Sequence, residues 1–512
     1  MTGAYLEVLL TGVTGFLGHY LLAELLAHPR VRCHVVLRPP VLRSCDRLER
    51  LLAEIGLDLR ALMSQQRVVP IEGALPDGIA SENFSKVDLI LHAAGNTTFQ
   101  GNGSGEPAHT NIDGTRAMLS LAKATGVRRF VYVSTAYVCG DGIGHQPEAF
   151  SSTVPRLRND YERSKWEAEK LVWEWGCKHG IATICRPSIL FGHSATGRAS
   201  ATKGLYLVAR ATEILARAMD TKNSLNRHQI PLRILGRGDA TCNIVPVDWA
   251  AQHIAQIALD NASESTVHHV TNPDPPTHQD VKTWLEAYFD IGGGQFSDAT
   301  WPLEDPNHYE DLFYSLGNIC RDYFRHGLTF ESRCAAEIPT GRRLIDRESF
   351  ARCIKYAQDT NWCRTSAETF ELRRPAGNFD PKWYFENFLP RTVPRSIISQ
   401  VDELTAIVKY TITGPVSGCW VCRFEKGQLL DVHTGVGSPR PQFEYRLSYD
   451  DLVDVVSRKR PLQEVFFLGR AEMLGDIERA LKMVPIITEF LNQFPVTCSG
   501  NDAAVSCTGE AC

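Results

Sequence analysis

Tyr161 and Lys165 stand four residues apart in the stretch Asn159-Asp160-Tyr161-Glu162-Arg163-Ser164-Lys165-Trp166. Apolar periodicity continues through Leu171, Val172 and Trp175, so the stretch reads as a helix with both side chains on one face. A phenol with a pKa near ~10 is a poor proton relay at neutral pH. An ammonium group beside it favours the phenolate and lowers that value. Upstream, Val133-Ser134-Thr135-Ala136-Tyr137 closes an apolar run with hydroxyls, and Thr135 there can hydrogen-bond a substrate oxygen, with Ser134 as the substitute. The three groups would move a proton at a carbonyl or alcohol oxygen. Tyr-x-x-x-Lys alone is common, so its meaning depends on what surrounds it.

What must position these groups begins at Leu9-Leu10-Thr11-Gly12-Val13-Thr14-Gly15-Phe16-Leu17-Gly18. An apolar run from Tyr5 to Leu10 precedes it, and Tyr20 to Leu26 follows with helical spacing. In a strand-turn-helix of this kind Gly12 permits the tight turn, Gly15 admits a pyrophosphate to the backbone, and Gly18 lets the helix lie on the strand. The helix N-terminus adds partial positive charge toward a diphosphate. Thr11, Thr14, Phe16 and Leu17 belong to the same cradle. Val31 to Leu37 reads as a second strand, and Arg38 follows where NAD-binding chains carry an acidic residue. A guanidinium there suits the 2′-phosphate of NADP, with Arg43 and Arg47 nearby; solvated surface arginines are the alternative. Arg47 to Leu62 has helical spacing, Val68 to Ile71 is a third strand, and Val87 to His92 a fourth. The small residues Ala93-Ala94-Gly95 let a cofactor pass close to the chain. Asn111, counted with the cofactor contacts, opens a helix through Ala124, and Arg128 to Ser134 is the fifth strand. Strands alternating with helices at this pitch imply a parallel, doubly wound α/β sheet with ligands at the strand C-termini.

The chain has 512 residues, enough for two or three domains, and a net charge of −5 that points to no nucleic acid. No apolar run reaches the roughly 18 residues of a membrane span, and no basic region precedes the first apolar segment as in a signal peptide. The 15 cysteines are scattered, which fits reduced thiols in a cytoplasmic protein. The close pair Cys419 and Cys422 lacks a second half, so no metal site is expected.

The G-x-x-G-x-x-G turn, the hydroxyl after strand five and Tyr161-x-x-x-Lys165 together resemble extended short-chain dehydrogenase/reductases, over roughly residues 4 to 290. That resemblance implies a Rossmann domain, with Thr135 as polarising hydroxyl, Tyr161 as general acid/base, and Lys165 as its activator and ribose ligand. Ile184 to Gly192 resembles the strand exit where Pro187 and Ser188 pass the nicotinamide. Asn243 to Trp249 resembles the return from the substrate lobe, with Asp248 expected as a helix N-cap. Gly73-Ala74-Leu75 departs from the family's Gly-Asp-Leu and leaves the adenine contact there in doubt. The wording His92 to Phe99 and Tyr161 to Val172 is similar to the thioester reductase and fatty acyl reductase branch. Such enzymes reduce carrier-bound or CoA thioesters with NADPH to an aldehyde or alcohol.

Residues 291 to 390 read as a helical substrate cap, with helices at Tyr309 to Phe324 and Arg347 to Asp359. Phe313, Tyr314, Tyr323 and Phe324 either line an acyl channel or are plain core. Arg321, Arg325, Arg342 and Arg343 either meet a phosphopantetheine phosphate or face water. After Pro390 to Pro394, strands at 405–413, 418–424 and 428–433, a capped helix after Ser448 and a last apolar helix to Phe494 follow. This order resembles the sterol-carrier-protein type 2 fold, a small α+β lipid-carrier domain placed at 391–497. Residues 498–512 read as a disordered tail. The expectation is an NADPH-dependent reductase of acyl thioesters or a similar lipophilic carbonyl, bringing an acyl-CoA or acyl-carrier-protein partner and a lipid or acyl chain in the C-terminal domain. A homodimer is compatible with it. The rivals are a hydroxysteroid or alcohol dehydrogenase or an epimerase, and a lipid-transfer protein with a regulatory dinucleotide domain.

Overall fold

The computed structural model describes residues 5–79, 87–99, 105–142, 144–201, 203–220, 227–317, 322–325, 327–333, 343–360, 362, 379–401, 404–435, 440–467, 469–494 and 496. The N-terminal half is built on strands whose side chains are apolar on both faces, the signature of a sheet covered on both sides. β1 (Leu6–Thr11) lies inside the sheet, pairing in parallel with β2 (Val31–Leu37) through Val8 and Cys33, and with the central strand β4 (Leu89–His92) through Val8 and Leu89. β3 (Val68–Glu72) extends the sheet beyond β2, and β5 (Arg129–Val133) extends it beyond β4. Strands Ile181–Pro187 and Thr266–Val270 complete seven parallel strands. The order reverses at β1 and β4, so the crevice of the doubly wound sheet opens over their C-terminal ends. The expected α/β fold is therefore present.

Helix α1 (Gly18–Ala27) packs on this sheet through Leu21, Leu22 and Leu25. A Cβ on Gly18 would stand 2.0 Å from the Gly12 carbonyl oxygen, and one on Gly12, at φ +76°, would stand 2.6 Å from Ala94 N. Two glycines thus let α1, β1 and the exit of β4 converge on one point. The stretch 47–62 is two helices, α2 (Val41–Glu54) and α3 (Leu59–Ser64), because Gly56 at φ +82° stops the first and Asp58 caps the second. α4 (Gly114–Thr125) and α5 (Asp160–His179) cover the opposite face. Asp248 lies inside the first turn of helix Val247–Leu259, which it does not cap. Its carboxylate instead accepts from Ser194 N and Oγ at 2.8 and 2.6 Å, fixing the loop into the substrate lobe.

The lobe is centred on helix Leu205–Asp220, against which His278–Phe289, His308–Gly317 and Arg347–Asp359 pack. The expected helix at 309–324 is described as His308–Gly317 with a short turn at 322–324, and residues 318–321 lie outside the described residues. Arg321, Arg342 and the tail at 498–512 lie outside them as well. In the C-terminal region five strands run in the order Gln428–Thr434, Gly418–Glu425, Ala406–Thr413, Phe443–Ser448, Ala471–Gly475. The strands at 443–448 and 471–475 were not legible in the sequence; the former pairs in parallel with 406–413. Ser448 caps the next helix by accepting from Asp451 N at 3.1 Å, as expected. The last helix, Ile477–Gln493, runs unbroken past Pro485. Cys419 and Cys422 sit on one strand three residues apart, hence on opposite faces, and cannot share a metal.

Gly18→Ala places a methyl group against backbone that cannot yield. We expect it to cost ~1–3 kcal/mol by overpacking, read as a lower thermal midpoint; an unchanged midpoint would show that the strand and helix can separate here.

Candidate active site

The C-terminal ends of β1, β4 and β5 open into one cleft of about 2110 Å³. The glycine turn forms its floor, held shut by a hydrogen bond from Gly15 N to Gly12 O of 2.9 Å. Thr11, Gly12, Thr14, Gly15, Phe16, Leu17, Gly18, Arg38, Ala93, Ala94, Gly95, Pro187 and Ser188 all line it, together with Thr135, Tyr161 and Lys165. Asn111 does not appear on the lining. It is buried behind it, accepting from Asn96 N at 2.7 Å and donating to Asn96 O and Ser164 Oγ at 2.8 Å. Its work is to hold the loop after β4 against α5. Behind the floor, Thr11 Oγ1 accepts from Ala94 N at 3.1 Å and meets His92 Nδ1 at 2.7 Å, fixing the two strand exits side by side.

Asn159 caps α5 by accepting from Glu162 N at 2.9 Å, and this start places Tyr161 and Lys165 against β5. Lys165 Nζ donates to Val133 O at 2.7 Å and lies 4.2 Å from the Tyr132 ring centroid. Thr135, Tyr161 and Lys165 thus face the same cleft, but their protonation differs from the simple picture. Burial pushes the Tyr161 phenol up to about 12, while Thr135 beside it acts to lower it. Burial also brings the Lys165 ammonium down from 10.5 to about 7, although Glu169 one turn later favours its charge. Desolvation disfavours both ions and outweighs the attraction anticipated from spacing alone.

A second buried cluster at the start of α5 escaped the sequence reading. Glu162, fully buried, accepts from Arg158 N and Nε, both at 2.9 Å, and from Tyr323 Oη at 2.8 Å. Asn159 Nδ2 donates to the same Tyr323 oxygen at 2.8 Å. Phe99 stacks on Tyr161 at 6.0 Å and touches Tyr323 at 5.5 Å. Tyr323 and Phe324 line the cleft, as does Tyr314, while Phe313 lines a small apolar side cavity of about 50 Å³. Arg325 and Arg343 are turned to Ala299 O and Asp274, away from the cleft.

The cradle fits a dinucleotide on two observations. The backbone at Gly12 and Gly15 lies open to the cleft at the N-terminus of α1. The buried Ser134 and Ser188 hydroxyls, both on the lining, have no hydrogen-bond partner among the described residues.

Residues 10–254 match the Male sterility protein family, and residues 387–488 match the SCP-2 sterol transfer family. The chain thus carries two matched regions in tandem, the second called the SCP-2 domain after the family it matches. A glycine betaine reductase of Emericella nidulans is 30% identical over 297 residues, 54% of this chain and 22% of that protein. The L-2-aminoadipate reductase large subunit of Eremothecium gossypii is 24% identical over 381 residues, 69% of this chain and 26% of that protein. The chain thus spans about a quarter of the length of these relatives. Among solved structures, the terminal R domain of the myxalamid PKS-NRPS pathway has a TM-score of 0.55 at 23% identity, covering 71% of this chain and 93% of that one. A thiolation-reductase di-domain from an archaeal non-ribosomal peptide synthetase has a TM-score of 0.52 at 19% identity, covering 70% and 92%. At these identities the likeness establishes the fold.

The SCP-2 domain is part of the cleft: Leu481, Lys482, Val484 and Pro485 of its last helix reach the lining that holds Tyr161. Among the described residues no group of His, Cys, Asp and Glu could hold a metal, and no helix is long and apolar enough to cross a membrane.

Lys165 binds its proton more weakly folded, at about 7, than unfolded, at 10.5. Between those values the unfolded chain holds the extra proton, so this residue makes stability rise with pH from about 7 toward 10.5. Lys165→Met should remove that rise in urea titrations across this range; an identical slope in both proteins would refute the buried, weakly basic lysine.

Proposed function

We propose that the protein is an NADPH-dependent reductase of acyl thioesters, on CoA or a carrier protein, or of a similar lipophilic carbonyl. The observation that carries this reading is that Thr135, Tyr161 and Lys165 line the same cleft as the glycine turn. Relatives named as reductases, and a structural neighbour in which a reductase adjoins a thiolation domain, support the substrate class.

The residues that would hold the dinucleotide are the turn from Thr11 to Gly18 for the diphosphate, Arg38 for the 2′-phosphate, and Ser134, Pro187 and Ser188 for the nicotinamide. Reduced dinucleotide supplies hydride. At the acyl carbonyl, Thr135 and Tyr161 donate hydrogen bonds to an oxygen that gains negative charge as the carbon is reduced, which is stabilisation by donors already in place. Tyr161 gives that oxygen its proton. Its high proton affinity keeps the phenol protonated before the step and makes the phenolate left behind a strong base. Lys165 in its ammonium form then steadies the phenolate that remains. The resulting hemithioacetal loses its hydroxyl proton back to Tyr161, the C–S bond breaks, and the thiol leaves with a proton from solvent. The product is an aldehyde, and a second passage gives the alcohol. Arg38, exposed at the cleft, favours NADPH over NADH because a guanidinium holds a phosphate with two hydrogen bonds. The described cysteines are all free thiols, which suits a reducing, cytoplasmic setting.

Incubating the full chain with NADPH and a panel of acyl-CoA thioesters should consume NADPH and release free thiol in step. Tyr161→Phe should lower kcat by about 10²–10⁴-fold, the usual worth of a positioned proton donor. Turnover of steroids or nucleotide sugars but no thioester would reject the substrate class. Arg38→Ala should raise KM for NADPH about tenfold, as expected for losing a charged phosphate contact, with NADH little changed; equal losses would refute the 2′-phosphate role.

A further inference from the structure

The side cavity of about 50 Å³ in the substrate lobe is almost entirely apolar, with Leu215, Ile230, Leu232, Val281, Leu285 and Phe313 on its wall. The polar side chains that join them are satisfied among the described residues. Thr212 Oγ1 donates to Val208 O at 2.9 Å. Lys282 Nζ donates to Glu286 Oε2 at 2.7 Å, and the other carboxylate oxygen accepts from Gly294 N at 3.2 Å. His278 Nδ1 lies 3.2 Å from Arg237 O, and burial brings its imidazole down to about 4, so the ring is uncharged at neutral pH.

A packing gap in a core has no entrance, but this cavity opens into the cleft that holds Tyr161. Val208, His278 and Phe324 line both spaces. The last two rings stand nearly perpendicular at 5.1 Å between centroids. Phe324 is fixed in this mouth, because its carbonyl accepts from Arg237 N at 2.9 Å and its Cβ occupies the place a side chain on Gly236 would need. The preceding residue, Tyr323, reaches Glu162 and touches Phe99, which in turn stacks on Tyr161. Two adjacent residues thus connect the surroundings of the phenol with the mouth of the cavity.

A charged group placed inside would lose its water and find no free partner on the wall. An alkyl end would leave water and gain dispersion contacts with the same carbons. At roughly 10–15 Å³ for each small group, the space takes about four of them. We infer that the cavity behind Val208, His278 and Phe324 receives the apolar end of the acyl group, so that the protein selects thioesters ending in an alkyl group over those ending in a charge. This rests on the thioester reading above, and it puts the end of the chain in the substrate lobe rather than in the C-terminal domain expected from the sequence. The SCP-2 side of the cleft offers a competing surface in Leu481, Val484 and Pro485, with Arg458, Glu464 and Lys482 interspersed, and the experiment separates the two.

The test uses the full chain, straight-chain acyl-CoA thioesters of increasing length, and the ω-carboxyl counterpart of the best of them. The parent should turn over the ω-carboxyl thioester with a kcat/KM about 100-fold lower, the cost of stripping water from a carboxylate. Val281→Phe, which fills the cavity, should shift the preferred length shorter. It should lower kcat/KM for the parent's best substrate about tenfold relative to shorter chains, as for methylenes excluded from an apolar pocket. Phe313→Ala, which enlarges the cavity, should shift the preferred length longer. An equal loss at every length in both variants, an unchanged preference, or a preference that moves with Val484→Phe and not with Val281→Phe would overturn the inference. Calorimetric titration with 1-octanol gives a readout independent of turnover. The parent and Val484→Phe should bind it about tenfold more tightly than Val281→Phe; equal affinity in the parent and Val281→Phe overturns the assignment. If the parent reduces no thioester, the functional proposal fails alone and the octanol titration still decides the cavity.

Discussion

The cleft is organised around an ammonium group kept where water is scarce. Lys165 is only 4% exposed, and it is held by the Val133 carbonyl at 2.7 Å and by the face of Tyr132. A carbonyl dipole and a ring quadrupole replace part of the lost hydration but not all of it, which is why the group gives up its proton at about 7. Glu169, one turn along α5 and fully buried, limits the loss, and it is itself clamped by Arg186 through Nε at 3.0 Å and Nη2 at 2.7 Å. The lysine is thus tuned from both sides: burial pulls it toward neutrality and a fixed carboxylate restrains the fall. Both tuning groups are set by the seating of α5 on β5 and the strand beside it, so the site is only as well defined as that helix–sheet contact.

What could be read in the sequence was what is local. The glycine turn, the hydroxyl after β5 and the Tyr161–Lys165 spacing each lie within one strand-loop-helix unit, and a fixed backbone geometry makes their consequences calculable. The side chains that close the cleft come from far away in the chain. Tyr323 meets Glu162 across 161 residues, and Lys203 senses Glu464 across the domain boundary. No periodicity announces such meetings. Glu162 had one local sign, its place three residues after the cap Asn159, but that sign reads as helix capping rather than as the floor of a buried network. The strand at 443–448 was missed because its sheet neighbour in sequence is not its neighbour in space. It pairs in parallel with 406–413, beyond two intervening strands, whereas hairpin reasoning looks for antiparallel partners. The phenol was misjudged for a related reason: a sequence shows that a lysine is near, but it does not show how much water has been removed from around both groups.

The stretch Pro390 to Pro394 reads as a boundary by sequence and exposes Pro390, Arg391 and Pro394, yet Thr392 and Val393 are buried and the segments on either side pack together. Phe385 stacks on Trp420 at 4.8 Å, and Trp420 Nε1 donates to Glu386 at 3.1 Å. Tyr449 Oη donates to the Phe379 carbonyl at 2.6 Å. A single apolar core runs from Phe191 and Phe350 in the substrate lobe to Tyr445 and Phe490 in the SCP-2 domain. Burial at roughly 25 cal/mol per Å² makes such a core expensive to open, so the SCP-2 domain is a fixed wall of the cleft rather than a tethered module.

The Arg158–Glu162 pair poses the complementary question of why a protein should bury charges beside the Tyr161 phenol. A buried ion pair is weak evidence of stabilisation, because desolvating both partners offsets most of their attraction. Here the pair has a second use. Arg158 lies 4.5 Å from the Tyr323 ring centroid and 5.4 Å from that of Tyr137, while Glu162 accepts the Tyr323 hydroxyl. A tyrosine brought across the cleft by the cap thus finds a hydrogen bond for its oxygen and a cation for its ring, at one position only. Displacing it would leave a buried carboxylate one acceptor interaction short and a guanidinium without its aromatic contact. Apolar packing alone would allow the segment at 322–325 to slide; directional, charge-assisted contacts do not. The cap is therefore registered on α5 by the turn that carries Tyr161, and the shape of the cleft above the phenol is set by the same residues that begin the catalytic helix.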